Sequence, residues 1–422
     1  MDSIIIRGGR RLGGEINVQG SKNSSLPILA ATVLVKGISV IHNCPYLTDV
    51  DAAIEILRHL GCIVKRENHT VTVDSRFVSR YEIPDSLMRE MRSSIVFLGS
   101  ILGRMGQAVL SSPGGCEIGL RPIDLHLSSL RKLGFAIDET GGKISCRKQK
   151  TLTEGIISLS FPSVGATENI MLACALSGGR TVILNAAREP EISDLAAFLN
   201  SAGCRIEVGS QGTVVIDGVK RAGDCEHTVI PDRIAALTYL CAAGAAGGDI
   251  LLKNVDFSDF LSVIPVFEAA GCTVQSEKNT VRLMMNDRPK AVRDIRTMPY
   301  PGFPTDAQAP VMAMVSIARG TSVIVENIFE SRFKHVGELK KMGAKINVEG
   351  RVAVIDGVRS LYGAHVESPD LRGGSALVVA GLVAEGITTV GCVSHIDRGY
   401  EKIEDCLKSV GADIERQALP DS

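Results

Sequence analysis

The sequence predicts a mixed α/β (α+β) protein in which one supersecondary unit is repeated six times, three copies to each of two similar domains. Three observations carry this reading. A glycine that ends a helix and opens a strand recurs through the whole chain. A second glycine recurs with it, a nearly fixed distance upstream. The composition, with 45% apolar residues and a net charge of −1, is that of a folded globular chain.

The first marker reads Leu-x-x-x-Gly-x-x-(Ile/Val). It appears around Gly61, Gly134, Gly203, Gly271, Gly343 and Gly411, with Phe267 in place of Leu in the fourth copy. The intervals are 73, 69, 68, 72 and 68 residues, a regularity that signals a repeated unit. The second marker is a glycine at the end of an apolar helix, followed by a β-branched strand: Gly37, Gly106, Gly179, Gly248, Gly320 and Gly386. The two markers stand 24, 28, 24, 23, 23 and 25 residues apart. Glycine suits a helix C-terminus because it adopts left-handed dihedrals without steric cost. Each unit therefore reads helix, strand, helix, strand and a further strand, such as residues 70–73 or 352–355. The polar, Gly-containing stretch from Lys220 to Asp224 marks a crossover between halves near residues 220–230.

Length and charge exclude several function classes. The 422 residues carry 46 Lys plus Arg against 47 Asp plus Glu, without the basic excess of a nucleic-acid binder. Aromatics make up 4% and Trp is absent, which leaves little for stacking bases. Eleven cysteines without a CxxC pair fit a reducing compartment better than a disulfide framework. The N-terminal segment has no long apolar core. The longest uncharged helical stretch, residues 234–248, falls short of the ~20 residues a membrane span needs. The expectation is a cytoplasmic protein that engages neither membrane nor nucleic acid.

The start of each first helix lies 14 or 15 residues before the second marker. There stand Lys22 with Asn23, Arg92, Gly165, Arg233, Asp306 and Arg372. Four of the six positions are cationic, although a cation in the first turn opposes the helix dipole by roughly 0.3–1 kcal/mol. A bound anion would reverse that sign. Small residues surround two of these starts, Gly20–Ser25 and Ser163–Thr167. The sharper reading is a cleft into which helix N-termini point to hold an anionic substrate; the plainer one is a set of solvated cations.

The long second repeat carries Ser111–Pro122, where three glycines and a proline frame Cys116 close to Arg121. This reads as a loop able to close over a site. Cys62, Cys204 and Cys272 follow the first marker, where other copies have Phe135, Ala344 and Ala412, and read as small core residues. His126 is either structural or catalytic. Arg188-Glu189-Pro190-Glu191 either hinges the third repeat or touches substrate. No His, Cys, Asp or Glu cluster has metal-ligand spacing, so no metal and no cofactor are expected. Neither a GxxxxGK[ST] loop nor a strand–GxGxxG–helix is present.

From Gly20-Ser21-Lys22-Asn23 to Asp397-Arg398-Gly399-Tyr400 the chain resembles the UDP-N-acetylglucosamine enolpyruvyl transferases, a branch of the enolpyruvyl transferase family. The most specific stretches are 113–121 with Cys116, 121–127, 163–167, 187–191, 304–308 and 330–332. The resemblance implies a two-domain inside-out α/β barrel, one domain spanning 22–227 and the other 1–21 with 228–422, with the active site in the cleft between them. It implies transfer of the enolpyruvyl group of phosphoenolpyruvate to the 3′-hydroxyl of UDP-N-acetylglucosamine, with release of phosphate, at the entry to peptidoglycan synthesis. Lys22 and Asn23 would bind both substrates. Arg92, Arg121 and Arg398 would neutralise phosphate and carboxylate. Arg121, Pro122, Ile123, Asp124 and Leu125, with Ser163, Val164 and Gly165, would line the uridine and diphosphate. Asp306 would serve as general base and Cys116 as acid or covalent nucleophile. Ile328 would pack on the sugar nucleotide, and Arg332, Asp370 and Arg372 would support the site. One departure is Phe161, where some members carry a lysine near the diphosphate. Two alternatives stand beside this reading. One is a 5-enolpyruvylshikimate-3-phosphate synthase, which lacks the Cys-bearing loop. The other is a weakly catalytic, sugar-nucleotide-binding regulator.

Thiolates react fastest where cations lower their pKa and the chain is accessible. Cys116 should therefore be the cysteine most readily alkylated by an anionic epoxide of the fosfomycin type, and UDP-N-acetylglucosamine should accelerate the reaction. Peptide-mapped labelling with and without the sugar nucleotide checks this; label spread over several cysteines contradicts it.

Overall fold

A computed structural model describes residues 2–111, 123–149 and 154–418. Among these, the chain divides into two compact units. One takes residues 2–19 and 231–418 and the other the residues between. The chain thus crosses at 19/20 and 230/231, where the family resemblance implied crossings at 21/22 and 227/228. Each unit has its own apolar core.

The repeat is written in six four-stranded sheets, three per unit. In the fifth copy, Thr321–Val325 pairs antiparallel with Val352–Asp356, which pairs antiparallel with Lys345–Glu349. A fourth, short strand, Ile295–Arg296, pairs parallel with Thr321–Val325 from the other side. This opening strand precedes the first helix of its repeat and is an element the sequence reading lacked. Several opening strands span two to four residues, too short to leave a periodic pattern. The strands alternate buried and half-buried residues, as in Thr70–Asp74 and Val352–Asp356, so one face packs inward and the other is more open.

The inner helices of the six repeats are α1 (Lys22–Ala31), α2 (Phe97–Met105), α3 (Val164–Cys174), α4 (Arg233–Ala246), α5 (Gln308–Val315) and α6 (Leu371–Val383); in the second repeat a short helix, Asp85–Glu90, comes between the opening strand and α2. Most are buried on nearly every side; α5 is buried throughout. They are apolar all round because no face meets water. In one unit α4, α5 and α6 pack on one another; in the other, α2 packs on both α1 and α3. Two predicted helix starts differ. Arg92 opens a 3₁₀ turn, Arg92–Val96, ahead of α2, and Asp306 lies in the 3₁₀ turn Thr305–Ala307 ahead of α5.

The glycines of the first marker all take left-handed dihedrals, with φ of 103°, 88°, 94°, 96°, 91° and 97° in chain order. The second marker is less uniform. Gly106 is a left-handed helix cap. Gly248, Gly320 and Gly386 have positive φ as turns into strands, and Gly37 and Gly179 do not. At Gly37 the constraint is space: a Cβ would sit 1.9 Å from the Asp224 carboxylate, which accepts the Ile38 N–H at 2.7 Å.

A third marker, not read from the sequence, is an asparagine at the end of the first strand. Asn43, Asn185, Asn254 and Asn327 each donate a side-chain N–H to a backbone carbonyl at the end of the opening strand: Val229, Leu159, Val18 and Thr297, at 2.9, 2.9, 3.1 and 3.1 Å. The first three have φ between 55° and 58°, which asparagine tolerates better than most residues.

In the sixth sheet the central strand is Asp2–Arg7, which pairs with both Ile387–Gly391 and Asp413–Ala418. The adjoining strand Leu12–Asn17 closes the fourth sheet, parallel to Gly248–Lys253. Cys225–Thr228 closes the first sheet, parallel to Ile38–His42.

A Cβ on Gly203 would meet nothing within 4 Å, while φ is +94°. Gly203→Ala should therefore destabilise through backbone strain alone, by about 1–2 kcal/mol, and Gly203→Asn by less. Thermal midpoints check both; equal losses contradict the left-handed cap as the cause.

Candidate active site

In the unit spanning 20–230, Ser21 caps α1 by accepting the Ser24 N–H at 3.2 Å. The cap places Lys22 at the first helical position, 9% exposed, where its Nζ donates to Asp49 Oδ2 at 3.3 Å. Asp49 is 1% exposed, so this buried charge has a nearby partner. Asn23 beside it is half-buried. Ser163 caps α3 in the same way, through the Ala166 N–H at 3.3 Å. Val164 and Gly165 follow, half-buried. A side chain at 165 would collide with His126, whose Cε1 lies 2.9 Å from the ideal Cβ position. This accounts for glycine where Lys22 and Arg92 stand in the other copies.

His126 is a structural residue. Burial drives its pKa down to about 4, so the ring is neutral, and its Nδ1 lies 2.8 Å from Asn169 Nδ2. Ile123 stands just before the helix Asp124–Lys132, with Asp124 exposed and Leu125 half-buried. Phe161, at the departure from the family pattern, is 42% exposed. Cys116, Arg121 and Pro122 lie outside the described residues. Burial pushes the Cys204 thiol to about 11 and the Cys272 thiol to about 12, in line with their reading as unreactive core residues.

In the other unit the site residues converge on one carboxylate. Asp306 accepts from Arg332 Nη2 at 2.5 Å on one oxygen and from Arg372 Nη2 at 3.2 Å on the other. The arginine side chains are 4% and 3% exposed, that of Asp306 25%. Two buried guanidiniums thus share the one partly open carboxylate. Asp370 caps α6, its Oδ1 accepting from the Arg372 and Gly373 N–H groups at 3.0 Å each. Arg372 Nη1 also donates to the Tyr400 hydroxyl at 3.1 Å. Arg398, two residues before Tyr400, is half-buried.

Two acidic groups were not found from the sequence. Glu326 is fully buried. It accepts from Thr297 Oγ1 and Thr305 Oγ1 at 2.9 Å, and from the Ile328 and Phe329 N–H groups at 2.8 and 3.1 Å. It therefore shapes the turn that presents Ile328 and holds the residue before Asp306. Its signal was weak: a lone acid at the end of a strand. Glu168, in the first half of α3, is 7% exposed. Burial, with Glu191 and Glu189 nearby, raises its pKa to about 8. Glu189 stands just before the helix Pro190–Ser201 and Glu191 is 2% exposed, so the 188–191 stretch is a helix start that brings acids toward α3.

Among the described residues no group of three His, Cys, Asp or Glu could hold a metal ion, and no helix is long and apolar enough to cross a membrane.

Residues 6–407 match the family described as EPSP synthase (3-phosphoshikimate 1-carboxyvinyltransferase). A UDP-N-acetylglucosamine 1-carboxyvinyltransferase 2 from Caldanaerobacter subterraneus subsp. tengcongensis is 54% identical over 99% of this chain and 100% of its own. A UDP-N-acetylglucosamine 1-carboxyvinyltransferase 1 from Symbiobacterium thermophilum is 48% identical over 98% of this chain and 95% of its own. Among solved structures, the enolpyruvyl transferase NikO from Streptomyces tendae has a TM-score of 0.88 at 25% identity, with 99% of both chains covered. EPSP synthase from Acinetobacter baumannii shares the fold, with a TM-score of 0.75 at 18% identity over 99% of this chain and 100% of that one. The chain thus belongs to the EPSP synthase family of enolpyruvyl transferases. Within it, its place is with the UDP-N-acetylglucosamine 1-carboxyvinyltransferases, the name its half-identical relatives carry.

Glu168 gives the site a pH signature. Below the ordinary carboxyl range it is protonated in both folded and unfolded chains. As the pH rises, the unfolded chain releases its proton first, and the folded one must charge a buried group near pH 8. Stability from this group is therefore lost between pH ~4.5 and ~8. The thermal midpoint of Glu168→Gln should fall less than that of the parent protein between pH 5 and pH 8; an equal fall contradicts the assignment.

Proposed function

We propose that the chain transfers the enolpyruvyl group of phosphoenolpyruvate to the 3′-hydroxyl of UDP-N-acetylglucosamine and releases phosphate, acting in the cytoplasm at the first committed step of peptidoglycan synthesis. The observation that carries the reading is the Asp306 carboxylate, partly open and set against two buried arginines, in a chain whose full-length relatives bear the name of that transferase.

The chemistry asks for these groups. A proton is added to C3 of phosphoenolpyruvate while the sugar hydroxyl adds to C2. The hydroxyl proton passes to a base, and a tetrahedral intermediate forms. Loss of a proton from C3 with departure of phosphate restores the double bond, now on the sugar. In this reading Asp306 takes the hydroxyl proton, and Cys116 delivers the proton to C3 or adds covalently to C2. Lys22, Arg92, Arg121 and Arg398 hold phosphate and carboxylate. The planar guanidinium fork suits both anions, and such a cage stabilises developing charge without a metal. Lys22 and Asn23 are joined in binding by Ile123, Asp124, Leu125, Ser163, Val164 and Gly165 on one unit, and by Ile328, Arg332, Asp370 and Arg372 on the other. That the two sets act together in one cleft is part of the proposal. Closing it over both substrates would exclude water and convert a bimolecular addition into a positioned one.

Phosphate release measured with phosphoenolpyruvate and either UDP-N-acetylglucosamine or shikimate 3-phosphate tests the reading. Turnover is expected with the sugar nucleotide alone. Asp306→Asn should retain sugar-nucleotide binding by calorimetry and lose about 100-fold or more in kcat, because an amide cannot accept the proton. Near-parental turnover in that variant removes Asp306 from the role of base.

A further inference from the structure

The segment that carries Arg398 is held from two sides. On one side Tyr400, 1% exposed, buries its ring. Its hydroxyl lies 2.7 Å from Thr238 Oγ1 of α4 and 3.0 Å from Ser375 Oγ of α6, and it accepts from Arg372 Nη1 at 3.1 Å. On the other side stands Gln19. Its Nε2 donates to the Gly399 carbonyl at 3.1 Å, and its Oε1 accepts the Glu401 N–H at 2.8 Å. One side-chain amide thus spans the peptide units flanking Tyr400, as the edge of a neighbouring strand would. A hydrogen-bonded pair of this kind fixes both height and tilt of a backbone that belongs to no strand.

The position of Gln19 in the chain gives the clasp a second meaning. Gln19 is the last residue of its unit before the first crossing. Its own backbone carbonyl accepts the Asp232 N–H at 2.8 Å, and Asp232 caps α4 immediately after the second crossing. One residue therefore joins the outgoing backbone, the returning backbone and the Arg398 segment.

We propose that Gln19 is a positioning residue for Arg398, through which the backbone at the two crossings sets where that guanidinium stands. The idea rests on the assignment of Arg398 to the phosphoenolpyruvate anion made above. Gln19 touches no reacting atom; it acts through the loop.

Gln19→Met tests this, since it keeps the length of the side chain and removes both hydrogen bonds. Amide hydrogen exchange read by mass spectrometry should be faster at 399–401 than in the parent protein. The KM for phosphoenolpyruvate should rise about five-fold or more, given two hydrogen bonds of ordinary strength. The KM for UDP-N-acetylglucosamine and the thermal midpoint should stay close to parental values. Unchanged exchange overturns the clasp. Faster exchange with an unchanged KM for phosphoenolpyruvate overturns the positioning role, as does an equal rise in both KM values. If Gln19→Met does not fold, Gln19→Glu carries the same measurements, because it keeps an acceptor for Glu401 and loses the donor toward Gly399. The parent protein serves as control: if it releases no phosphate from the two substrates, the functional assignment fails, and the exchange comparison still reads the clasp.

Discussion

Parallel pairing between the strand before an inner helix and the strand after it governs this structure. Such a pair needs a helix to carry the chain back: α3 and α6 follow their opening strands closely, whereas the helix Asp85–Glu90 and the turn Arg92–Val96 precede α2 and the turn Thr305–Ala307 precedes α5. In the remaining two repeats the partners are exchanged. Leu12–Asn17 leads into α1 but pairs in the sheet of α4, and Cys225–Thr228 leads into α4 but pairs in the sheet of α1. The exchange costs neither unit a strand and forces the chain through two crossings. It also explains why Lys22 and Arg233, the first residues of the two helices concerned, stand beside the crossings.

An apolar helix can be buried along its length, but its N-terminal amides and whatever charge stands there must still be satisfied. Ser21, Ser163, Asp232 and Asp370 meet that need with side-chain caps. Beyond the caps, charge is met by charge. Lys22 finds Asp49, and Arg332 and Arg372 meet on Asp306. The outcome is a set of polar helix ends in which the cations are mostly buried and the Asp306 carboxylate remains within reach of solvent. Removing Asp306 takes a counter-charge from two buried guanidiniums, whereas removing one arginine leaves Asp306 the other. Asp306→Asn keeps the shape of the side chain but takes the negative charge from both guanidiniums, so its turnover is to be read beside its thermal midpoint.

Much of the fold was legible because glycine spacing reports backbone geometry directly. All six glycines of the first marker need a left-handed turn, and no other residue supplies it so cheaply. The second marker mixed several causes: a cap at Gly106, turns at Gly248, Gly320 and Gly386, and a carboxylate contact at Gly37. A common spacing therefore hid different geometries. The opening strands escaped notice because Glu82–Ile83 and Ile295–Arg296 are too short to show alternation. The asparagine clasp was visible in principle, six residues after Gly37, Gly179 and Gly248. For the candidate site, repeat position picked out Lys22, Arg92, Asp306 and Arg372, although Arg92 and Asp306 stand in 3₁₀ turns ahead of their helices. Arg332, Asp370 and Arg398 came through family resemblance alone. The role of Glu326 depends on four donors brought together by the fold, which no local pattern records.

The sixth sheet has a consequence for how the polypeptide emerges during synthesis. Its central strand, Asp2–Arg7, is made among the first residues, yet Arg7 pairs with Asp413 across 406 positions. The residues from 20 to 230 hold every strand of their three sheets and can condense while translation continues. The unit that encloses them in sequence cannot complete its barrel until the last strand leaves the ribosome. Until Ile387–Gly391 emerges the early strand has both edges unpaired, and until Asp413–Ala418 emerges it keeps one open, exposed to the mispairing that such edges invite. Completion of the sixth sheet thus waits on Asp2–Arg7 meeting two strands made only after the segment 20–230 has been synthesised.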